Sequence, residues 1–476
     1  VIDVMVPPSK ALATDANELI GPYPESPAGP IDQAELADLR TVPEFDLPRT
    51  LQVLRFGQRQ AEFVLAGRRQ FGDVFRFQGI IPGHPVISGH PEHAKSIFTA
   101  KVELVPTLTA ESPLRPIVGP NSLLTTQGEQ HMRQRRLLLP AFHGDALTNY
   151  YEVIDGAIDR EIDSWPVGEA IELAGPMQDV TLEVILSGIF GIDRLEEATR
   201  AERKLAHVIR RLTVLSTKPI AKFSEYSNVG RSEPVGFQAL ALRFVDAAIY
   251  EVIAERRSDT GLEQRRDIMS VLIKAEDEDG STLSDHELRD QMISLLLAGH
   301  ETTANTISWA FERLTRNPIA HERLLDAVRE DRADRADQVE YVIQETMRSR
   351  PVVPIVGRRV QSAWRLGDYG VPAGTPVSIS ILLIHHREDL YPSPWEFLPE
   401  RWVGKRPGTY EWIPFGGGVR RCVGASLAMV ELRRVIDRIA ERLVLEADRP
   451  EPEQIQHRNV TMIPRRGARV IVREKR

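Results

Sequence analysis

The segment PFGGGVRRCVG (414–424) sets the only cysteine of the chain, Cys422, behind three glycines and two arginines. Glycines at 416, 417 and 418 let the backbone take positive φ and approach another group closely. The run that follows, VGASLAMVELRRVIDRIAERLVLE, has helical periodicity, with Leu432, Val435, Ile436, Ile439 and Leu443 on one face. Cys422 is therefore expected at a helix N-terminus, where free N–H groups and the positive dipole end favour a thiolate. Arg420 and Arg421 add to that. A lone cysteine is often only a small buried apolar residue. As a chemical group it can be a nucleophile, a redox thiol or a metal ligand. A nucleophile needs a base beside it, and no histidine is local. Zinc takes several ligands, usually more than one cysteine. A single thiolate with open space beyond it suits haem iron.

Two further constellations carry chemistry. SDHELRDQMISLLLAGHETTANTISWAFERLTRNP (284–318) reads as one long helix. Ser284 with Glu287 forms a capping box at its start, and Asn317–Pro318 ends it. In its middle lies AGHETT (298–303). Gly299 costs about 1 kcal/mol relative to alanine, and threonines bend helices by bonding back to carbonyls. Polar groups at the centre of so apolar a helix point to a site, the alternative being a solvated patch. In YVIQETMRSRP, Glu345 and Arg348 face each other at i, i+3. In GEQHMRQRRLLLPAFH, His131 and Arg135 share a helix face at i, i+4.

The elements that must position these groups are mostly helical. From about 128 onward helical patterns dominate. Short strands are expected in FGDVFRF and HPVISG, across 356–383, and in RNVTMIP and ARVIVR near the end. The first 40 residues, rich in proline, alanine and acids, read as an irregular arm. Strands so distant in sequence are expected to pair, which favours one mixed domain over 41–476. The charge run REDRADRADQVE (329–340) reads as a solvated helix end and loop. The chain has 476 residues and a net charge of −8, which excludes a general nucleic-acid binder. One cysteine allows no intrachain disulfide and fits a reducing, cytoplasmic setting. No apolar run reaches the roughly 20 residues a membrane-spanning helix needs, and the first residues show no signal-peptide pattern.

Phe415, Gly418, Arg420, Cys422 and Gly424 give F-x-x-G-x-R-x-C-x-G, which resembles the haem-ligand signature of the cytochrome P-450 haem-thiolate monooxygenases. The resemblance runs from about residue 70 to 473. It implies a mainly α fold with a minor β part (α+β), a long central helix crossing the haem, and small antiparallel sheets. It implies haem b with Cys422 as axial ligand and O2 as co-substrate. AGHETT is similar to the family's oxygen-binding motif, which makes Glu301 the acid and Thr302 the alcohol of a proton relay. Ala298, Gly299, Phe415, Gly416, Arg420 and Gly424 then line the cofactor. His131 matches a position where tryptophan is commoner, and with Arg135, Arg358 and Arg420 it would hold the two propionates. Glu345, Arg348 and the later Arg401 of FLPERW would form a buried triad that locks the cysteine loop. LIHHREDLYPSPWEFLPERW resembles the family's H-R-D-P stretch, with Glu388–Asp389 in place of the usual acid–proline order.

By position, the resemblance assigns Leu295, Ala298, Val352, Val353, Ile355, Val460 and Met462 to the substrate pocket. Aliphatic and uncharged, they predict a lipophilic substrate, though some of them are expected to be core. The chain carries no flavin, nicotinamide or iron–sulfur module, so electrons would come from a ferredoxin or flavodoxin-type protein with its reductase. Arg133, Arg136, Arg421, Arg433 and Arg434 are candidates for the basic patch that meets it, although Arg133 and Arg136 also read as an ordinary helix surface. Two other activities are weighed: a haem-thiolate peroxygenase or rearrangement enzyme, disfavoured by the Glu301–Thr302 pair, and a haem-based sensor, for which no output domain is visible.

Overall fold

The computed structural model describes residues 23–476 apart from Pro113, residues 217–227, 229–230 and 232, and Glu278. The helices that bear on the site are, in chain order, α1 (Gly128–Leu138), α2 (Ala174–Phe190), α3 (Arg200–Ser216), α4 (Gly236–Arg257), α5 (Ile268–Lys274), α6 (Asp285–Leu314), α7 (Arg335–Ser349) and α8 (Ala425–Arg442). The chain gathers into two compact units. One comprises the chain up to residue 100, 312–418 and 451–466; the other comprises 101–311, 419–450 and 467–476.

The first unit holds three of the four sheets among the described residues. Ala28–Pro30, Trp364–Leu366, Tyr369–Val371 and Arg40–Thr41 form one, in that order. Val74–Arg76, Val86–Ser88, Pro376–Ser380 and Ile355–Arg359 form the next, in that order. A hairpin joins Ile455–Arg458 to Thr461–Pro464. Strands near the start thus pair with strands some 300 residues later, as the sequence leads one to expect. Two of these pairs are parallel, Arg40–Thr41 with Tyr369–Gly370 and Val86–Ser88 with Val377–Ile379, so the sheets are mixed rather than purely antiparallel. The expected irregular arm is also regular in part. From Ala28 it supplies two edge strands and the helix Gln33–Asp38, which Asp32 caps through the Glu35 N–H at 2.8 Å. Its residues 1–22 lie outside the described residues. An aromatic cluster of Phe45, Phe63, Phe75 and Phe77 packs with Ile87 and Leu383 to form a core there.

The second unit is helical, with one sheet ordered Leu443–Ala447, Arg469–Lys475, Ala170–Glu172. α6 runs over 30 residues, about 45 Å at the usual rise. Its capping box closes in both directions: the Ser284 N–H donates to Glu287 Oε2 at 3.0 Å, and the Glu287 N–H donates to Ser284 Oγ at 3.3 Å. The helix stops at Leu314, a few residues short of the expected end, because Asn317 caps the next helix, Pro318–Arg329, whose Ala320 N–H it accepts at 3.1 Å. The first half of the charge run after it forms a helix end and loop, while its residues 335–340 are the first turns of α7, which begins at Arg335.

Candidate active site

The glycines before Cys422 are required by geometry. Gly416 and Gly418 have φ of 66° and 65°. A Cβ on Gly418 would overlap the Phe98 carbonyl oxygen, and one on Gly417 would strike the Phe98 ring. Phe415 stands edge-on to Trp412 at 6.4 Å, and the Trp412 indole N–H donates to the Gln344 carbonyl at 3.2 Å. The start of the loop is thereby fixed to α7.

Cys422 lies three residues before α8, with Gly424 as the N-cap. Solvent reaches its side chain, yet burial is the main influence on the thiol and pushes its pKa up. The two observations agree if protein encloses the sulfur on most sides and leaves one side open, as an axial ligand requires. The Gly424 N–H and the charges of Arg421 and Arg135 act in the opposite direction. The helix end and arginines thus do not by themselves yield the expected thiolate. A coordinating metal ion supplies the missing charge and deprotonates such a thiol outright.

His131, Arg135 and Arg420 are brought together in the same unit. His131 is buried, and burial with the nearby Arg420 charge lowers its pKa to about 4. Its Nδ1 lies 3.2 Å from the Leu123 carbonyl and its Nε2 3.4 Å from the Val419 carbonyl. A neutral imidazole has one N–H, so only one of these is a hydrogen bond. Arg135 donates to the Arg421 carbonyl at 2.7 Å. Arg420 donates to the carbonyls of Leu123, at 3.4 Å, and of Thr126.

On α6, Ala298 is exposed and Leu295 and Thr302 are half-buried. Their neighbours Leu296, His300, Thr303 and Ala304 are buried. Leu297 and Gly299 are half-buried too, so the open stripe through Leu295, Ala298 and Thr302 is part of a wider opening over 295–302, with buried helix on either side. Thr302 Oγ1 donates to the Ala298 carbonyl at 2.7 Å, and Glu301 beside it is half-buried. Gly299 is explained by packing: a Cβ there would sit 2.5 Å from Ile185 Cδ1 on α2.

The other unit holds Arg358, on the strand Ile355–Arg359. Burial alone lowers its pKa to about 10. It donates to the Gly357 carbonyl at 2.8 Å and lies over the Phe98 ring. Among the described residues no carboxylate pairs with it or with Arg135. A buried guanidinium without a counter-ion is costly, and a haem propionate would supply one. Within the unit of 101–311 and 419–450, the open thiol, the open stripe and Arg135 fit haem.

The triad is present in the same unit as Arg358. Arg348 grips Glu345 through Nε and Nη2, both at 2.8 Å, with neither side chain exposed. Arg401 Nε reaches Glu345 at 3.0 Å. The Trp402 indole N–H and the Leu398 N–H also donate to Glu345, at 3.2 and 2.9 Å.

The remaining assigned residues differ in their surroundings. Met462 has no exposed surface and packs with Ala61 and Leu382 in the core, because its hairpin turns it away from solvent. Val352 is buried, its carbonyl accepting the Met462 N–H at 2.7 Å, and Ile355 packs against the aromatic cluster. Val353 is half-buried, while Val460 is exposed at the hairpin tip beside Asn459, whose φ is positive. Arg133 is not a free surface charge: it pairs with Asp277 at 2.6 Å and Glu287 at 3.0 Å. Arg434 pairs with Asp155 and covers Tyr151. Sequence reasoning missed a buried polar network that joins residues 119–126 to Gln134, Asp290, Gln291 and Ser294. Glutamines on an amphipathic helix look the same in sequence whether they face water or protein.

The comparisons with known proteins agree with this geometry. The cytochrome P450 family model matches residues 43–472. Cytochrome P450 135B1 of Mycobacterium tuberculosis is 37% identical over 431 residues, covering 89% of each chain. Cytochrome P450 138 of the same organism is 33% identical over 440 residues, covering 92% of this chain and 97% of its own. A retinoic-acid-bound cyanobacterial CYP120A1 structure superposes with a TM-score of 0.75 at 24% identity, covering 92% of this chain and all of that one, which speaks to the fold alone. The chain belongs to the cytochrome P450 family, the monooxygenases that bind haem b through a cysteine thiolate and use O2.

Proposed function

We propose that Cys422 supplies the axial thiolate and that the enzyme inserts one oxygen atom of O2 into a lipophilic substrate, by hydroxylation or epoxidation. The observation that carries this reading is the opening over 295–302, with Leu295, Ala298 and Thr302 along it, in a helix that is buried on either side of that stretch. The haem, when bound, supplies the iron at which O2 is activated. The chain's own residues set the conditions. The Gly424 N–H and the Arg135 and Arg421 charges stabilise negative sulfur. Arg135, Arg358, Arg420 and His131 hold the propionates. Leu295 and Ala298 offer an apolar wall that favours a lipophilic substrate and excludes water. Thr302, whose hydroxyl rests on the Ala298 carbonyl, can turn to hand its proton on while its oxygen accepts another, which Glu301 supplies before reloading from water.

Electrons are proposed to arrive from a separate ferredoxin or flavodoxin-type donor with its reductase. The candidate basic patch is Arg133, Arg136, Arg421, Arg433 and Arg434, of which Arg133 and Arg434 also make ion pairs within the chain. Among the described residues no helix is long and apolar enough to cross a membrane. A lone thiol suits the reducing cytoplasm, where we place the enzyme. The test is the reduced, carbon monoxide-bound spectrum of the wild type and Cys422→Ser, followed by turnover with O2 and an electron donor or with peroxide. A red-shifted thiolate Soret band, lost in Cys422→Ser, and turnover that needs O2 and donor are expected. Turnover with peroxide alone would replace the monooxygenase reading with a peroxygenase.

A further inference from the structure

Residues 119–126 lie between α1 and the short helix before it, and side chains from α1 and α6 hold them. The Asn121 N–H donates to Asp290 Oδ2 at 2.9 Å. The Asn121 carbonyl accepts two amide donors, Gln291 Nε2 and Gln134 Nε2, each at 2.7 Å. The Leu123 N–H donates to Gln291 Oε1 at 3.1 Å. Ser122 and Ser294 hydroxyls meet at 2.5 Å, and Thr126 Oγ1 donates to Gln134 Oε1 at 2.8 Å. Gly119 has φ of 89°, and a Cβ there would overlap the Asp290 carboxylate. Gln134, Gln291, Ser122, Ser294 and Asp290 are all buried.

The centre of this network is the Leu123 peptide. Its N–H is held by Gln291, and its carbonyl oxygen is approached by both His131 Nδ1 and Arg420 Nη1. Gln291 grips the backbone on both sides of Ser122, donating to the Asn121 carbonyl and accepting from the Leu123 N–H. The Leu123 carbonyl belongs to the next peptide unit, whose Leu124 N–H donates to Ser122 Oγ at 3.0 Å; Gln291 thus fixes the two peptide units that flank Ser122 and so the Leu123 Cα from which that carbonyl extends. Gln291 is also one helical turn before Leu295, at the start of the open stripe.

We propose that Gln291 is a positioning residue for the haem. Through the Leu123 peptide it sets His131 and Arg420, and it ties them to the helix that carries Thr302. The inference rests on the reading that His131 and Arg420 hold the propionates. Gln291 touches no propionate itself. It acts as outer-shell partners of cofactor ligands do, removing the freedom of groups that must be in place before the cofactor arrives.

The test measures transfer of haem from the purified holoenzyme to excess apomyoglobin. The variants are Gln291→Leu, His131→Ala, the double variant and Ser294→Ala. Ser294→Ala removes the hydroxyl–hydroxyl bond to Ser122 but leaves Ser122 Oγ to accept the Leu124 N–H and Gln291 to hold the Leu123 N–H. Expected is faster haem loss by roughly ten-fold in Gln291→Leu and in His131→Ala. The double variant should lose haem more slowly than the product of the two single effects, and Ser294→Ala should stay within about two-fold of wild type, because the bonds to the Leu123 and Leu124 N–H groups remain. If His131→Ala accelerates loss but Gln291→Leu does not, or if the two effects multiply, the positioning role is overturned while the propionate reading stands. If His131→Ala leaves the rate unchanged, the propionate reading of that residue fails and the inference fails with it. Should Gln291→Leu not yield folded protein, Gln291→Asn keeps the amide but withdraws it by one methylene and enters the same comparison.

Discussion

Arg348 and Arg256 are both guanidinium groups shut away from water, and their clusters carry opposite charge. Arg348 and Arg401 share one carboxylate, Glu345. The remaining donors of Arg348 go to carbonyls of His385 and Pro394, both at 2.8 Å, and of Glu396, at 3.0 Å. Arg256 instead has two carboxylates, Glu202 at 2.7 Å and Asp267 at 2.6 Å, with Ser270 and the Phe190 carbonyl completing its shell. Arg265 approaches Glu202 only to 3.8 Å. One cluster fastens an irregular segment, 385–401, to α7. The other fastens the ends of α2, α3, α4 and α5. The residue whose loss strands the most charge is therefore the acid in the first cluster and the base in the second.

The largest effect is expected from Glu345→Ala, which leaves two buried cations without an anion. Breaking such a cluster costs about 3–5 kcal/mol. The affected segment runs toward the cysteine loop, so little haem-loaded protein should accumulate. Glu345→Gln keeps an acceptor for the Leu398 N–H and should recover part of the yield. The measurement is carbon monoxide-binding haem per milligram of protein, with the apparent Tm. Equal yields for wild type and Glu345→Ala would break the distinction between the clusters.

Arg256→Met should destabilise nearly as much, since Glu202 and Asp267 lose their cation together. Here the expectation differs in kind. The apparent Tm falls, but the protein that remains folded keeps a thiolate-type Soret band, because this cluster fastens helices and not the loop. A shifted Soret band in the folded fraction would show that the two clusters do one job.

Glu431 sharpens the comparison, since among the described residues no cation pairs with it. It is buried on α8, its Oε1 has no hydrogen-bond partner, and burial raises its pKa to about 8 from an ordinary 4.5. Below pH 4.5 the group is protonated in both the folded and unfolded chain and contributes nothing. Between 4.5 and 8 the unfolded chain releases the proton while the folded protein keeps it. Stability therefore falls by up to about 1.4 kcal/mol per pH unit. Above 8 the loss is complete. Glu431→Gln removes this slope, so its apparent Tm should exceed that of the wild type increasingly from pH 5 to pH 8 and hold its lead above that. Parallel Tm profiles for the two proteins would mean that Glu431 is ionised in the folded state.

The two clusters also show what can be read from a sequence. Glu345 and Arg348 are three residues apart on one helix, and that spacing, with the family resemblance, names them and Arg401. Arg256 and its partners come from four separate helices, and no local pattern links residues 190, 202, 256 and 267. The same division runs through the site. The glycines at 416–418, Cys422 and the polar break on α6 are local departures from ordinary usage, and they stand out. Met462 and Val460 do not: an aliphatic run near a hairpin carries no sign of which side faces the core. Arg133 reads as a surface charge because its partners lie 144 and 154 residues away. The Leu123 network is hidden for a related reason, since its contacts are backbone groups, which every residue has.

The smallest effects should come from the duplicated members, Arg401 and Asp267. Arg401→Gln leaves Glu345 still gripped by both nitrogens of Arg348 and by two neutral donors. Asp267→Asn leaves Arg256 paired with Glu202 and keeps an oxygen to cap α5, where Asp267 accepts the Ser270 N–H at 2.9 Å. Each change removes one charge from a cluster with a surplus of that sign: Arg401 from two cations and one anion, Asp267 from two anions and one cation. The lost ion pair is thus offset by relief of like-charge repulsion, and each variant should lose only about 1 kcal/mol, the net value of an ordinary hydrogen bond. Apparent Tm values of the two variants beside Glu345→Ala and Arg256→Met decide it. Losses as large as those of the central residues would mean that charge balance is irrelevant and that the number of satisfied donors governs both clusters.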